Sequence, residues 1–200
     1  MVPSGIVLPR LRRNRRRFVL KLAPRGSVCA ELGVWQGDFA AEILRVVRPS
    51  KLHLIDPWTF MTEDAYSDAR YGGKVAPDQA AMDRLHESVL ARFAEQIANG
   101  TVEVHRCGSQ EASARFADGS FDWVYVDGNH LYDFVRADLE LYDPKLRAGG
   151  VLAGDDYGEP GWWHDGVTRA VDEFVAAGRY DVVSFAASQF VLRKGGVSRS

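Results

Sequence analysis

The chain has 200 residues, 46% of them hydrophobic, and a formal charge of −2. That is enough for one domain with a buried core, and too little net positive charge for a general polyanion binder. No apolar run approaches the length of a membrane span, and the start lacks the hydrophobic stretch of a signal peptide. The two cysteines, Cys29 and Cys107, show neither CxxC nor metal spacing, so both are expected to be reduced and the protein cytoplasmic.

Residues 1–26 read as a basic arm or leading helix. Positions 10–17 spell RLRRNRRR, and the first acid is Glu31. The expected role is a solvated arm that packs through Leu11, Phe18, Val19 and Leu22. The sharper alternative is a patch for an anionic substrate, a membrane surface or nucleic acid. Residues 27–193 then read as one α/β domain, and 194–200 as a tail.

The first strand is predicted over 27–32 (SVCAEL). A glycine turn, Gly33 to Gly37, leads into a helix over 38–47, and a second strand covers 51–56 (KLHLID). This is a βαβ unit with an acid, Asp56, where a ribose-binding acid is expected. A dinucleotide site wants glycine at the second and third positions of the turn, which here are Trp35 and Asp38. Tryptophan blocks close approach of a pyrophosphate, and Asp38 puts its own charge at the helix start. With Glu31 beside them, the pocket suits a cationic ligand. S-adenosylmethionine, with a sulfonium, an ammonium, a ribose and no phosphate, fits that description.

Residues 57–77 show no period and read as a lid on the ligand side, with Trp58, Phe60, Tyr66 and Tyr71 as candidate covers. A helix is predicted from Asp78 to about Ala98, capped by Asp78, and a third strand over 101–105. Ser109 then caps the next helix or touches a base. A strand over 121–126, a helix over about 130–142 and a strand over 151–153 follow. The helix starting near Gly166 ends at about Ala177, and strands over 180–185 and 189–192 close the chain as a hairpin.

The stretch 121–157 carries the chemistry. A right-handed crossover helix makes its two strands parallel, and neighbours lie about 4.8 Å apart. Asp127 ends one strand, and Asp155 and Asp156 end the other. Three close carboxylates repel unless they share a proton or a cation. All-oxygen ligands suit a hard divalent ion such as Mg2+. His130, one turn beyond Asp127, reaches the same pocket.

The motifs ELGVWQG, LIDPW, VYVDGNHLYDFVRADL and GGVLAGDDY, in this order, resemble those of class I S-adenosylmethionine-dependent methyltransferases. More narrowly, the chain resembles the small metal-dependent O-methyltransferases of the macrocin and novobiocin sugar-methylating type, over about Val28 to Phe174. The resemblance implies a doubly wound, mostly parallel seven-stranded sheet with a C-terminal antiparallel hairpin. It implies that Glu31, Gly33, Gly37, Asp56 and Ser109 bind the cofactor, and that Asp127, Asp155 and Asp156 bind Mg2+. His130, with Asp127, would serve catalysis, the histidine as general base. The implied reaction is Mg-assisted methyl transfer to a hydroxyl of a sugar, polyol or phenol. A homo-oligomer is compatible with this reading, whereas a nucleic-acid partner is disfavoured because VDGNH stands where amino-methylating enzymes carry NPPY or DPPY. The rival readings are a nucleotide-dependent oxidoreductase on a similar fold and a non-catalytic binding module.

Overall fold

The computed structural model describes residues 16–62, 71 and 76–195. Apolar residues in the parallel strands alternate between two faces, and each face must be covered. Seven strands answer to this: β1 (Val28–Leu32), β2 (Lys51–Ile55), β3 (Val102–His105), β4 (Phe121–Val126), β5 (Leu146–Gly154), β6 (Tyr180–Ala186) and β7 (Gln189–Lys194). The sheet order is β3-β2-β1-β4-β5-β7-β6. The five strands β3, β2, β1, β4 and β5 are parallel, and β7 and β6 run antiparallel at the end. The expected doubly wound sheet with a terminal hairpin is therefore observed.

One layer packs α1 (Arg17–Leu20), α2 (Asp38–Val46) and α3 (Gln79–Arg92) on the sheet. Its core joins Val19, Leu20, Phe39, Ile43, Met82 and Val89 to Cys29, Leu54, Trp123 and Tyr125. The other layer packs α5 (Ser109–Ser113), α6 (Tyr132–Tyr142) and α7 (Gly166–Ala176). There Ala112, Val135, Leu139, Val171 and Phe174 meet Ala30, Val124 and Val126.

Several boundaries differ from expectation, each for a local reason. The helix predicted over 78–98 is two, α3 and α4 (Ala94–Ala98), because Phe93 leaves helical geometry at φ −109°, ψ 19°. Asp78 does cap α3, accepting from the Ala81 N–H at 2.7 Å. Strand β5 starts at Leu146, not at Val151. Phe121 pairs with Leu146 and Trp123 with Val151, so the intervening residues of β5, including Gly149 at φ 76°, bulge out. Helix α6 begins at Tyr132, after an Asx turn in which Leu131 N–H donates to Asn129 Oδ1 at 3.0 Å. Lys194, expected in the tail, ends β7, and its ammonium donates to the carbonyls of Asp143 and Leu146 at 2.5 and 2.9 Å. Trp58, expected as a lid residue, is fully buried in the core, and its indole N–H donates to Trp35 O at 2.9 Å. Val19 is buried, and Phe18 and Leu22 pack against the same core, as expected, with Leu20 buried beside them; Leu11 and Tyr66 lie outside the described residues. Among the described residues, no helix is long and apolar enough to cross a membrane.

The turn after β1 fixes where the strand ends meet. Gly33 has φ 89°, and a Cβ there would collide with the Asp127 carbonyl and Gly128 at the end of β4. A methyl group therefore both strains the backbone and pushes β1 from β4. Gly33→Ala is expected to destabilise the fold by about 2 kcal/mol or more, read as a lowered midpoint in urea unfolding.

Candidate active site

Strand order reverses between β1 and β4, and open α/β sheets bind ligands at the carboxyl ends of strands at such a point. Glu31 on β1 and the segment after β4 meet here. The ladder continues past the strands through Asp127 N–H to Leu32 O at 2.8 Å and Asp155 N–H to Val126 O at 3.2 Å. This brings Asp127, Asp155 and Asp156 to one place, as expected. Asp156 stands at φ 61°, a left-handed conformation that aspartate tolerates better than most residues.

The charges are arranged in two pairs. Arg16, immediately before α1, reaches in from the arm. Its Nη1 lies 2.8 Å from Asp127 Oδ2, and its Nη2 donates to Asp155 Oδ2. Its guanidinium also lies over the Phe39 and Tyr125 rings, 5.2 and 5.8 Å from their centroids. Burial opposes the charge on Arg16, but Asp127, Tyr125 and Asp155 outweigh it and hold the guanidinium firmly protonated. On the other side, His130 Nε2 lies 2.9 Å from Asp156 Oδ2 and 3.7 Å from Asp127 Oδ1. Both contacts are ion pairs. Burial pulls the His130 pKa down, and the two carboxylates more than reverse this, to about 9. In this state His130 is an imidazolium at neutral pH rather than a base.

Asp155 is thus set apart from the other two acids. Its second oxygen accepts from Gln189 Nε2, whose Oε1 accepts from the Tyr125 hydroxyl at 2.6 Å. Burial first, and Asp127 next, push the Asp155 carboxyl up to about 6. The donor atoms that converge within 4.8 Å of one another come from Asp127, His130 and Asp156.

The β1 turn builds the other half of the site. Glu31 is 1% exposed, and its Oε2 has no hydrogen-bond partner. Burial, then the nearby Asp127, raises its pKa well above the usual carboxyl range. A buried, unmet acceptor calls for a donor. Asp56, by contrast, is saturated. Its Oδ2 accepts from the N–H groups of Val34 and Trp35, both at 2.9 Å. Its Oδ1 accepts from Trp58 N–H at 2.8 Å and the Tyr71 hydroxyl at 2.5 Å. Trp35 is held by these bonds at φ 50°, a conformation that tryptophan rarely adopts. Gly37, at φ 75°, starts α2, and a Cβ on it would lie 2.7 Å from the Phe93 ring. Ser109 neither caps α5, whose N-cap is Gly108, nor faces this pocket with an open hydroxyl: it donates to Asp138 Oδ1.

Sequence reasoning missed Arg16, Gln189 and Trp163. Trp163 stacks on His130 with centroids 4.6 Å apart, and Trp162 meets the same ring edge-on at 6.4 Å. The run WWH at 162–164 marks an aromatic loop, but not its target. Six arginines in 10–17 give no hint of which one turns inward, and Gln189 is an unremarked strand residue.

Comparison with known proteins agrees with this fold. A family model described as a methyltransferase domain matches residues 30–157. The chain belongs to this methyltransferase family. Among solved structures, the N-methyltransferase NodS from Bradyrhizobium japonicum has a TM-score of 0.62 at 15% identity, covering 95% of this chain and 99% of that one. A putative caffeoyl-CoA O-methyltransferase from Staphylococcus aureus has a TM-score of 0.59 at 12% identity, covering 97% and 86%. The 1,6-didemethyltoxoflavin-N1-methyltransferase of Burkholderia thailandensis, solved with S-adenosylhomocysteine, has a TM-score of 0.59 at 13% identity, covering 92% and 78%. At these identities the likeness is one of fold. No curated protein sequence matches the chain.

Two predictions follow from the charges. Arg16→Ala leaves the buried Asp155 without its cation and Asp127 with His130 alone, and is expected to lower stability by about 3 kcal/mol, measured by urea unfolding at neutral pH. Asp138 is buried, and burial, only partly offset by the Ser109 hydrogen bond, raises its pKa from 3.8 to about 7. Its contribution to stability is therefore full below pH 4 and is lost as pH rises through 7. Asp138→Asn is expected to match wild type near pH 4 and to exceed it progressively toward pH 8, in thermal melts across that range.

Proposed function

We propose that the protein transfers a methyl group from S-adenosylmethionine to a hydroxyl of a small molecule, with a divalent cation assisting. The observation that carries the cofactor is the unmet Glu31 carboxylate oxygen beside the glycine turn at the β1/β4 switch point. The methionine ammonium of S-adenosylmethionine would donate to this oxygen and favour the charged form of Glu31. Gly33 and Gly37 supply the positive-φ backbone of the turn against which the methionine end would lie. Asp56 holds the turn through Oδ2 and would offer Oδ1 to a ribose hydroxyl, which takes the place of the Tyr71 hydroxyl. Ser109 would touch the base only if its hydroxyl leaves Asp138.

The residues fit a divalent cation. Asp127 and Asp156 would supply oxygens, with Asp155 beside them and His130 facing the same carboxylates. Mg2+ is the favoured ion because oxygens dominate the donor set. When bound, such a cation supplies positive charge that lowers the pKa of a neighbouring hydroxyl. The chain's own residues do the rest. Asp127 and Asp156 orient the His130 imidazole from one side, and Trp163 holds its plane from the other. Trp162 meets the same ring edge-on. His130 would receive the acceptor's proton in a state in which Asp127 and Asp156 no longer hold its pKa at about 9. An acceptor with vicinal oxygens, such as a sugar, polyol or catechol, suits such a site, which is why the sugar-methylating branch is favoured over an amino-methylating one.

Calorimetric titration of S-adenosylmethionine, with NADH in parallel and with Mg2+ or EDTA, tests the reading. The expected result is micromolar binding, about 8 kcal/mol, of S-adenosylmethionine alone. Glu31→Gln is expected to weaken it about tenfold. His130→Ala is expected to keep it while slowing methyl transfer to catechol or a sugar diol about a hundredfold. Absence of S-adenosylmethionine binding would sink the proposal, and NADH binding would replace it with an oxidoreductase.

A further inference from the structure

Residues two apart on a strand share a face. On β2 these are Lys51 and His53, and on β3 Glu103 and His105. The strands run parallel with His53 opposite Glu103, so the four side chains form a two-by-two patch. His53 Nδ1 lies 3.0 Å from His105 Nε2. Glu103 Oε2 holds Lys51 Nζ at 2.7 Å, while its Oε1 faces His105 Nε2 at 3.6 Å. One donor atom from each of His53, Glu103 and His105 falls within 4.8 Å of the other two. Strand β3 is the outer edge of the sheet, and β2 and β1 separate it from β4, so the patch is remote from the acids after β4 and β5.

We propose that His53, His105 and Glu103 form a second cation site, selective for a transition metal of the zinc type and distinct from the candidate active site.

The donor set decides the class of ion. Two imidazole nitrogens and one carboxylate suit Zn2+, Ni2+ or Co2+ and not Mg2+, which prefers oxygens. Zinc–nitrogen bonds of about 2.0–2.1 Å in a tetrahedral site put two ligating nitrogens roughly 3.3 Å apart. The imidazoles are already within a few tenths of an ångström of that.

The rings are held by packing, not only by each other. Phe116 and Phe121 meet His53 edge-on at 5.0 and 5.6 Å, and Phe116 meets His105 edge-on at 5.5 Å. Both imidazoles are kept neutral, as ligands must be. Burial, then His105, lowers the His53 pKa to about 4, and burial lowers that of His105. Whichever ring now donates in the His53–His105 hydrogen bond would carry its proton on its other nitrogen once both face a cation, so neither ring loses or gains charge. Glu103 can give Oε1 while Oε2 keeps Lys51. Its carboxylate is 48% exposed and opens the site to solvent. The remaining coordination positions fall to water. A cation here would tie the edge strand β3 to β2.

Titration of Zn2+ into the metal-stripped full chain tests this, with His105→Ala, Glu103→Gln and His130→Ala in parallel. Micromolar binding is expected in wild type and in His130→Ala. It is expected to weaken about tenfold or more in Glu103→Gln and to vanish in His105→Ala. Zn2+ is expected to raise the melting temperature of wild type more than that of Glu103→Gln. Because Glu103 is half exposed, that variant decides the matter even if His105→Ala does not fold. The proposal is overturned if wild type does not bind Zn2+, if binding is lost only in His130→Ala, or if Glu103→Gln binds as wild type does.

Discussion

Three carboxylates at the ends of two adjacent parallel strands can stay close only if positive charge stands between them. In this protein Arg16 and His130 provide it. Arg16 joins Asp127 to Asp155, and His130 lies between Asp127 and Asp156. Asp127 is thus common to both pairs, and its position depends on the Gly33 turn, whose lack of a side chain lets β1 and β4 approach. The geometry of the candidate site and the place of Arg16 in it are consequences of one electrostatic constraint. Remove either cation and the acids must protonate or move apart.

A second hub stands beside it. Asp56 ties together the turn after β1 and the segment after β2 through four donors from Val34, Trp35, Trp58 and Tyr71. Burial alone would push its carboxyl toward the neutral form, and these hydrogen bonds work against that. They also hold Trp35 in a left-handed conformation at a cofactor-side turn, a strain that the surrounding bonds over-determine. The glycine turn after β1 is thus tied down by its own hydrogen bonds. Glu31, buried and unmet behind it, is the exception that a ligand would explain.

The expected general base and the folded site differ in an instructive way. A histidine with an ordinary pKa is poised at neutral pH, but this one is flanked by two carboxylates and is raised to about 9. Its protonation is therefore coupled to whatever else neutralises Asp127 and Asp156. Arg16 does so for Asp127 and Asp155, which makes this one arginine part of the site's charge balance.

Much was legible in the sequence because it depends on local pattern. Apolar runs of strand length, helical periodicity and glycine turns gave the βαβ units, the hairpin and the placing of Glu31, Asp127, Asp155 and Asp156 at strand ends. The methyltransferase family rested on those same motifs. What the sequence could not determine were contacts between residues far apart in the chain. Arg16 meets Asp155 across 139 positions, Tyr125 meets Gln189 across 64, and Trp163 covers His130 from another loop. The His53–His105 pair likewise needs the register of β2 against β3, which two-residue periodicity alone leaves open. Local pattern assigns a residue to a strand end or a face. Only the packed sheet decides which charge it meets there, because that depends on distances set by the whole chain.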